Sequence, residues 1–95
     1  MKGLRYDYYE YSARANSWRR EADYLARCGA YWYRKYEEAM NAGKNLEARD
    51  CLYDAKSYEK RYWDAVDRLE DYEDRAYHAK NMLNDLRNEM QLRLL

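Results

Sequence analysis

The sequence predicts an all-α protein, a long antiparallel two-helix hairpin of coiled-coil type that a second copy completes into a bundle. Three observations predict it. Strand formers other than Tyr and Trp are nearly missing, with no Phe, no Ile and a single Val, while helix-favouring Ala, Leu, Arg, Lys and Glu abound. Apolar or amphipathic residues recur at alternating spacings of four and three through both halves of the chain. One turn signal, centred on Gly43, divides the two runs.

The first run reads Leu4, Tyr8, Tyr11, Ala15, Trp18, Ala22, Leu25, Gly29, Trp32, Tyr36, Ala39 and Gly43 without a slip. Such spacing lays the set along one seam of a helix and predicts helix 1 over about residues 4–42. Gly29 sits inside this run, where glycine costs about 1 kcal/mol relative to alanine. A large ring placed opposite it gives the glycine a packing reason, so one continuous helix is expected.

The turn, Asn41-Ala-Gly-Lys-Asn45, is assigned to residues 43–45. Gly43 suits the left-handed position that ends a helix, and Asn45 suits the N-cap of the next, with Glu47 in its first turn. A link this short makes the helices antiparallel neighbours.

The second run reads Ala48, Cys51, Ala55, Tyr58, Tyr62, Ala65, Leu69, Tyr72, Ala76, Ala79, Leu83, Leu86 and Met90, which predicts helix 2 over about 46–94. If facing positions have numbers adding to 87, rings meet small residues in most layers: Tyr36 with Cys51, Trp32 with Ala55, Gly29 with Tyr58, Ala15 with Tyr72, Tyr11 with Ala76 and Tyr8 with Ala79. Leu25 with Tyr62, Trp18 with Leu69 and Leu4 with Leu83 are large pairs; Ala22 with Ala65 and Ala39 with Ala48 are small ones. Periodicity alone does not demand this alternation of bulk and space, so it argues for the hairpin separately. The register also sets the acids between Asp64 and Asp74 beside Arg14, Arg19 and Arg20.

The 95 residues suffice for one domain, 1–95, and little more. The 18 basic and 18 acidic side chains cancel. A protein that tracks phosphates normally carries a basic excess, so nucleic acid is not the expected partner; single-strand binding by the arginines and rings of helix 1 stays a minor alternative. No run approaches the length of apolar sequence that a membrane span needs. The N-terminal MKGLRYDYYEY lacks the apolar core of a secretory signal, and a soluble, cytoplasmic protein with no membrane partner is expected.

The seams leave much apolar surface over. Tyr24, Tyr31, Tyr33, Tyr53, Trp63 and Tyr77 fall off them and are the candidate partner-binding residues, since Tyr and Trp bring large contact areas at small entropic cost. Tyr24 and Tyr31 share a face, with Cys28 between. At the C-terminus Leu86, Met90, Leu92, Leu94 and Leu95 run past the expected start of helix 1, and are the candidate dimer or docking residues.

The sequence carries no convincing catalytic or cofactor motif. Asp67, Asp71, Asp74 and His78 lie on one helical stripe but read as a solvated acidic face. Cys28 and Cys51 are too few and too separated for a zinc site. No phosphate-cradling glycine loop or nucleophile elbow is present. A non-enzymatic protein without cofactor or metal is expected.

In its short length, lack of a signal, biased composition and surplus of interface residues, the chain resembles in type the small proteins by which bacteriophages and mobile elements disable host defence, such as anti-CRISPR proteins. That resemblance implies steric blocking of a larger complex, with a homodimer as the blocking form. Secreted helical hairpins of the WXG type are similar in length, but here Trp32 precedes Gly43 by eleven residues rather than two and their defining motif is absent. A self-assembling scaffolding or chaperone-type hairpin is the alternative.

Overall fold

The computed structural model describes residues 2–94, leaving out the side chains of Lys2, Leu4, Arg93 and Leu94. Two helices account for nearly all of it: α1, Lys2–Asn41, and α2, Asn45–Leu94. They lie antiparallel in a rod of 76 × 18 × 13 Å. Its radius of gyration, 21.5 Å, far exceeds the roughly 13 Å of a folded globule this size. α1 passes through Gly29 without interruption.

Among the described residues every buried hydrophobic residue belongs to the two seams: Ala15, Ala22, Leu25 and Ala39 on α1, with Cys51, Ala48, Ala55, Ala65, Ala76 and Ala79 on α2. Gly29 is buried among them. Ala22, Leu25 and Ala65 form the centre, with Trp18, Tyr58, Tyr62 and Val66 packed against it. All of these but Val66, which adjoins the seam, come from adjacent layers of the register read from sequence. The seam rings are only half-buried, because a rod one helix thick has no interior deep enough to enclose one. Tyr is suited to that position, with its ring body covered and its hydroxyl wet. The layer expected from Leu4 and Leu83 lies outside the described side chains on the Leu4 side.

The turn differs by one residue from expectation. Gly43 adopts a left-handed φ of 72°. The Lys44 amide donates to the Ala39 carbonyl (2.9 Å) and the Gly43 amide to that of Met40 (3.1 Å), the paired bonds of a Schellman closure. The Lys44 carbonyl then accepts from the Ala48 amide at 2.9 Å, so Lys44 is the N-cap and Asn45 is already helical. One residue serves as the end of the closure and the start of α2, which leaves no separate position for an asparagine cap. Lys44 and Glu47 pair at 3.8 Å across this first turn.

Candidate functional site

Two cross-helix bonds identify one side of the rod. The Tyr33 hydroxyl donates to Glu59 Oε2 at 2.5 Å, and Arg19 pairs with Glu73 at 2.7 Å. In both the residue numbers add to 92, and Arg19 and Tyr33 are two heptads apart, as are Glu59 and Glu73. The columns Arg19, Ala26, Tyr33, Met40 and Leu52, Glu59, Val66, Glu73 therefore face each other along this first flank. Between and beyond the bonds they oppose Ala26 to Val66 and Met40 to Leu52.

The opposite flank is built differently. Arg61, Arg68 and Arg75, spaced by sevens, lie over seam rings: Arg61 over Tyr58 at 5.3 Å, Arg68 over Trp18 at 4.9 Å, and Arg75 over Tyr11 at 5.8 Å and Tyr72 at 5.5 Å. Arg14 adds a further contact on Tyr72 at 5.8 Å. Guanidinium groups are attracted to the negative ring faces and shield them from water with their own planes. This second flank is closed by cations over rings, whereas the turn-proximal half of the first flank sets Ala26, Met40, Leu52 and Val66 about the Tyr33–Glu59 bond.

The charge alignment is correspondingly narrower than expected. Among the described residues, Arg19 alone of Arg14, Arg19 and Arg20 pairs with an acid on α2. Arg14 is on the second flank, where it pairs with Glu10 on its own helix at 2.7 Å. The Tyr6 and Arg14 hydrogen bonds hold the Glu10 carboxyl below its ordinary range. Arg20 lies on the outer side of α1, away from α2.

The six aromatic candidates do not converge on one surface. Tyr33 and Trp63 lie on the first flank, and Tyr77 follows Trp63 by two heptads, about 21 Å along the same side. Tyr33 is half-buried and bound to Glu59, while Trp63 and Tyr77 are exposed. Tyr53 is 76% exposed on the outer side of α2. Tyr24 and Tyr31 belong to α1 near the second flank. The Cys28 hydrogen bond raises the Tyr24 phenol above its ordinary pKa.

An arrangement missed in the sequence unites the α1 pair. Arg20, Tyr24, Arg27, Tyr31 and Arg34 follow one another at spacings of four and three and are all exposed. This is a second seam, on the outer side of α1, in which arginine and tyrosine alternate. Arg34 lies 5.9 Å from the Tyr31 ring centre and Lys35 lies 5.6 Å from it. Among the described residues, none of the three arginines forms an ion pair. The signal was present in the heptad spacing, but a search for apolar periodicity passes over it.

At the C-terminal end, Met90 and Leu92 are exposed, whereas Leu86 is half-buried. α1 starts at Lys2, earlier than expected, and Leu86 is the last half-buried side chain of α2 among the described residues. The side chain of Leu94 and all of Leu95 lie outside the described residues.

Near the turn a shallow hollow of ≈ 270 Å³ is lined by Lys35, Glu38, Ala39, Ala42, Lys44, Glu47 and Cys51. Its cations are engaged, Lys35 with Glu38 at 3.5 Å and Lys44 with Glu47 at 3.8 Å. Burial pushes the Cys51 thiol above its ordinary pKa, the reverse of what nucleophilic activation requires. Among the described residues no group of three or more His, Cys, Asp or Glu is placed to hold a metal ion, and no helix is long and apolar enough to cross a membrane. No protein-family model, curated protein or solved structure matches the chain.

Proposed function

We propose that the chain is a small non-enzymatic binding protein that docks on a larger protein complex through the Arg20–Arg34 stripe and blocks it sterically, as phage and mobile-element inhibitors of host defence do. The observation that carries this reading is the alternation of three unpaired arginines with two exposed tyrosines along about 21 Å of rigid helix. Tyr and Arg dominate the energetics of protein interfaces, and a helix supplies them preordered, which reduces the entropic cost of docking. The chemistry fits an acidic partner surface.

The same residue types can grip single-stranded nucleic acid. Against that, the outer side of α2 carries Asp64, Asp67, Asp71 and Asp74, which would repel a strand lying along the rod, and the net charge is zero. Protein is the favoured partner for these reasons.

The test is expression in bacteria whose phage-targeting nuclease system is active. Restored phage plaquing is expected, with loss of the effect in Arg27→Glu/Tyr31→Ala and retention in Tyr53→Ala. Unchanged restriction across a panel of such systems counts against the inhibitor. A labelled oligonucleotide bound with an affinity that Tyr31→Ala removes would move the assignment to nucleic acid. Assembly as a scaffolding hairpin is favoured by one observation, the exposed Met90 and Leu92. It predicts species larger than a dimer in light scattering.

A further inference from the structure

We infer that the Arg20–Arg34 stripe on the outer side of α1 docks on a second copy of this chain, against an acidic stripe on the outer side of α2. Asp64, Asp67, Asp71 and Asp74 follow one another at spacings of three, four and three, and all four are exposed. Asp71 pairs with Arg75 of its own helix at 3.1 Å. Among the described residues, Asp64, Asp67 and Asp74 form no ion pair, and neither do Arg20, Arg27 and Arg34. Each helix thus carries one outward stripe of a single sign, which the zero net charge of the whole chain conceals.

Spacing makes the two stripes complementary. Arg27 and Arg34 are seven residues apart, as are Asp67 and Asp74, so both pairs repeat at about 10.5 Å along a helix face. With α1 of one copy parallel to α2 of the next, Arg27 faces Asp67 and Arg34 faces Asp74, while Tyr24 and Tyr31 bring hydroxyl donors to Asp64 and Asp71. In a parallel pair the column bordering one side of a stripe meets the column bordering the other side of its partner. Asp23 then comes to Arg68, Lys35 to Glu70 and Glu21 to Lys56, acid against base each time. Between Ser17 and Asn41 the one like-charged pair is Arg20 with Lys60. An antiparallel arrangement turns like borders together instead, with Lys35 among Arg61 and Arg68 and Asp23 near Glu70.

The two stripes face outward from different helices, so one copy cannot pair its own, and a copy docked through α1 still offers its α2. Such a contact is heterologous and repeats from copy to copy, carrying association past the dimer. Exposed ion pairs contribute little each, which makes the association weak and governed by ionic strength. The foreign partner of the proposed function uses the same arginines, so a second copy competes with it. The inference goes beyond that reading and does not rest on it.

Sedimentation velocity across a concentration series tests the proposal. In roughly 20 mM salt the average mass of the wild-type protein should climb past that of a dimer. In roughly 500 mM salt the screening length falls from about 20 to about 4 Å, and association should weaken at least about tenfold. Arg27→Glu/Arg34→Glu and Asp67→Lys/Asp74→Lys, all at exposed positions, should each be monomeric alone, with helicity by circular dichroism unchanged. Their equimolar mixture should associate again, because each variant restores the charge its counterpart lost. Lys80→Glu/Arg87→Glu, off both stripes, should still associate. A wild-type protein monomeric at every concentration in low salt overturns the proposal. So does association undiminished in high salt, as a contact through Met90 and Leu92 would give, a mixture that stays monomeric, or a loss in Lys80→Glu/Arg87→Glu equal to that in the stripe variants. Asp67→Lys/Asp74→Lys keeps the arginine stripe intact, so its effect on phage plaquing reads docking on a foreign partner separately.

Discussion

Gly29 of α1 sits against Tyr58 of α2, and a β-carbon added to the glycine would lie 3.8 Å from the Tyr58 β-carbon. That is ordinary van der Waals distance. The space is wide enough for one methyl group, and glycine is not needed for its backbone either, since its helical φ suits any residue. Gly29→Ala should therefore stabilise the hairpin by about 1 kcal/mol, raising Tm by roughly 4–8 °C. Gly29→Leu should destabilise it by about 1–3 kcal/mol through overpacking against the ring. Thermal unfolding by circular dichroism checks both, and a lower Tm for Gly29→Ala would mean the helices approach more closely there.

Gly43 offers the opposite case. Nothing lies within 4 Å of a β-carbon built on it, yet its φ is +72°. Gly43→Ala is expected to cost about 1–2 kcal/mol, all of it conformational, and Gly43→Asn less, since Asn tolerates that region. Equal denaturation midpoints for the Gly and Ala proteins would show that the turn relaxes to another geometry.

The seam was legible in the sequence because burial in a hairpin follows one periodicity. Ala15, Ala22, Leu25, Ala55 and Ala65 were all placed by spacing, and the pairing of Gly29 with Tyr58 followed from the numbers alone. The turn was legible to within a residue. Lys44 was missed as N-cap because its role comes from a backbone closure shared with α1, not from its side chain. The flanks were harder. Tyr33 and Tyr31 look alike in sequence, and only the Tyr33–Glu59 bond and the cations over Tyr31 reveal opposite sides of the rod. The columns of seven holding Arg61, Arg68 and Arg75, or Ala26, Tyr33 and Met40, were readable in principle. They become meaningful once a cross-helix contact fixes which columns oppose.

Ala15 is among the residues buried between the helices, at 4% exposure. Ala15→Glu would force a carboxylate into the closely packed layer between α1 and Tyr72, whose ring already holds the Arg14 and Arg75 guanidinium groups. Overpacking of that layer and desolvation of the charge together cost about 3 kcal/mol or more, a large part of the stability of any small domain. Loss of cooperative unfolding, or a strongly lowered denaturation midpoint, is expected. Ala13→Glu, on the exposed outer side of the same turn, should change stability by less than about 0.5 kcal/mol. If the two variants unfold alike, position 15 is not at the seam.

The Tyr33–Glu59 bond makes a prediction about pH. The carboxylate accepts the phenolic proton, and this hydrogen bond, with burial and the carboxylate charge adding to it, raises the Tyr33 pKa above 10.0. Because the folded value lies above the unfolded one, the bond's contribution to stability is fully present below pH 10. It is lost as the pH climbs through the raised value, where the phenolate meets the carboxylate as a like charge. In ring-labelled tyrosine NMR, Tyr33 should titrate above the ordinary range of a free tyrosine side chain. Glu59→Ala should return Tyr33 toward the ordinary range and flatten the alkaline fall in stability. A Tyr33 resonance that titrates in the ordinary tyrosine range in the wild-type protein would remove the bond from the solution structure, and with it one of the two contacts that define the first flank.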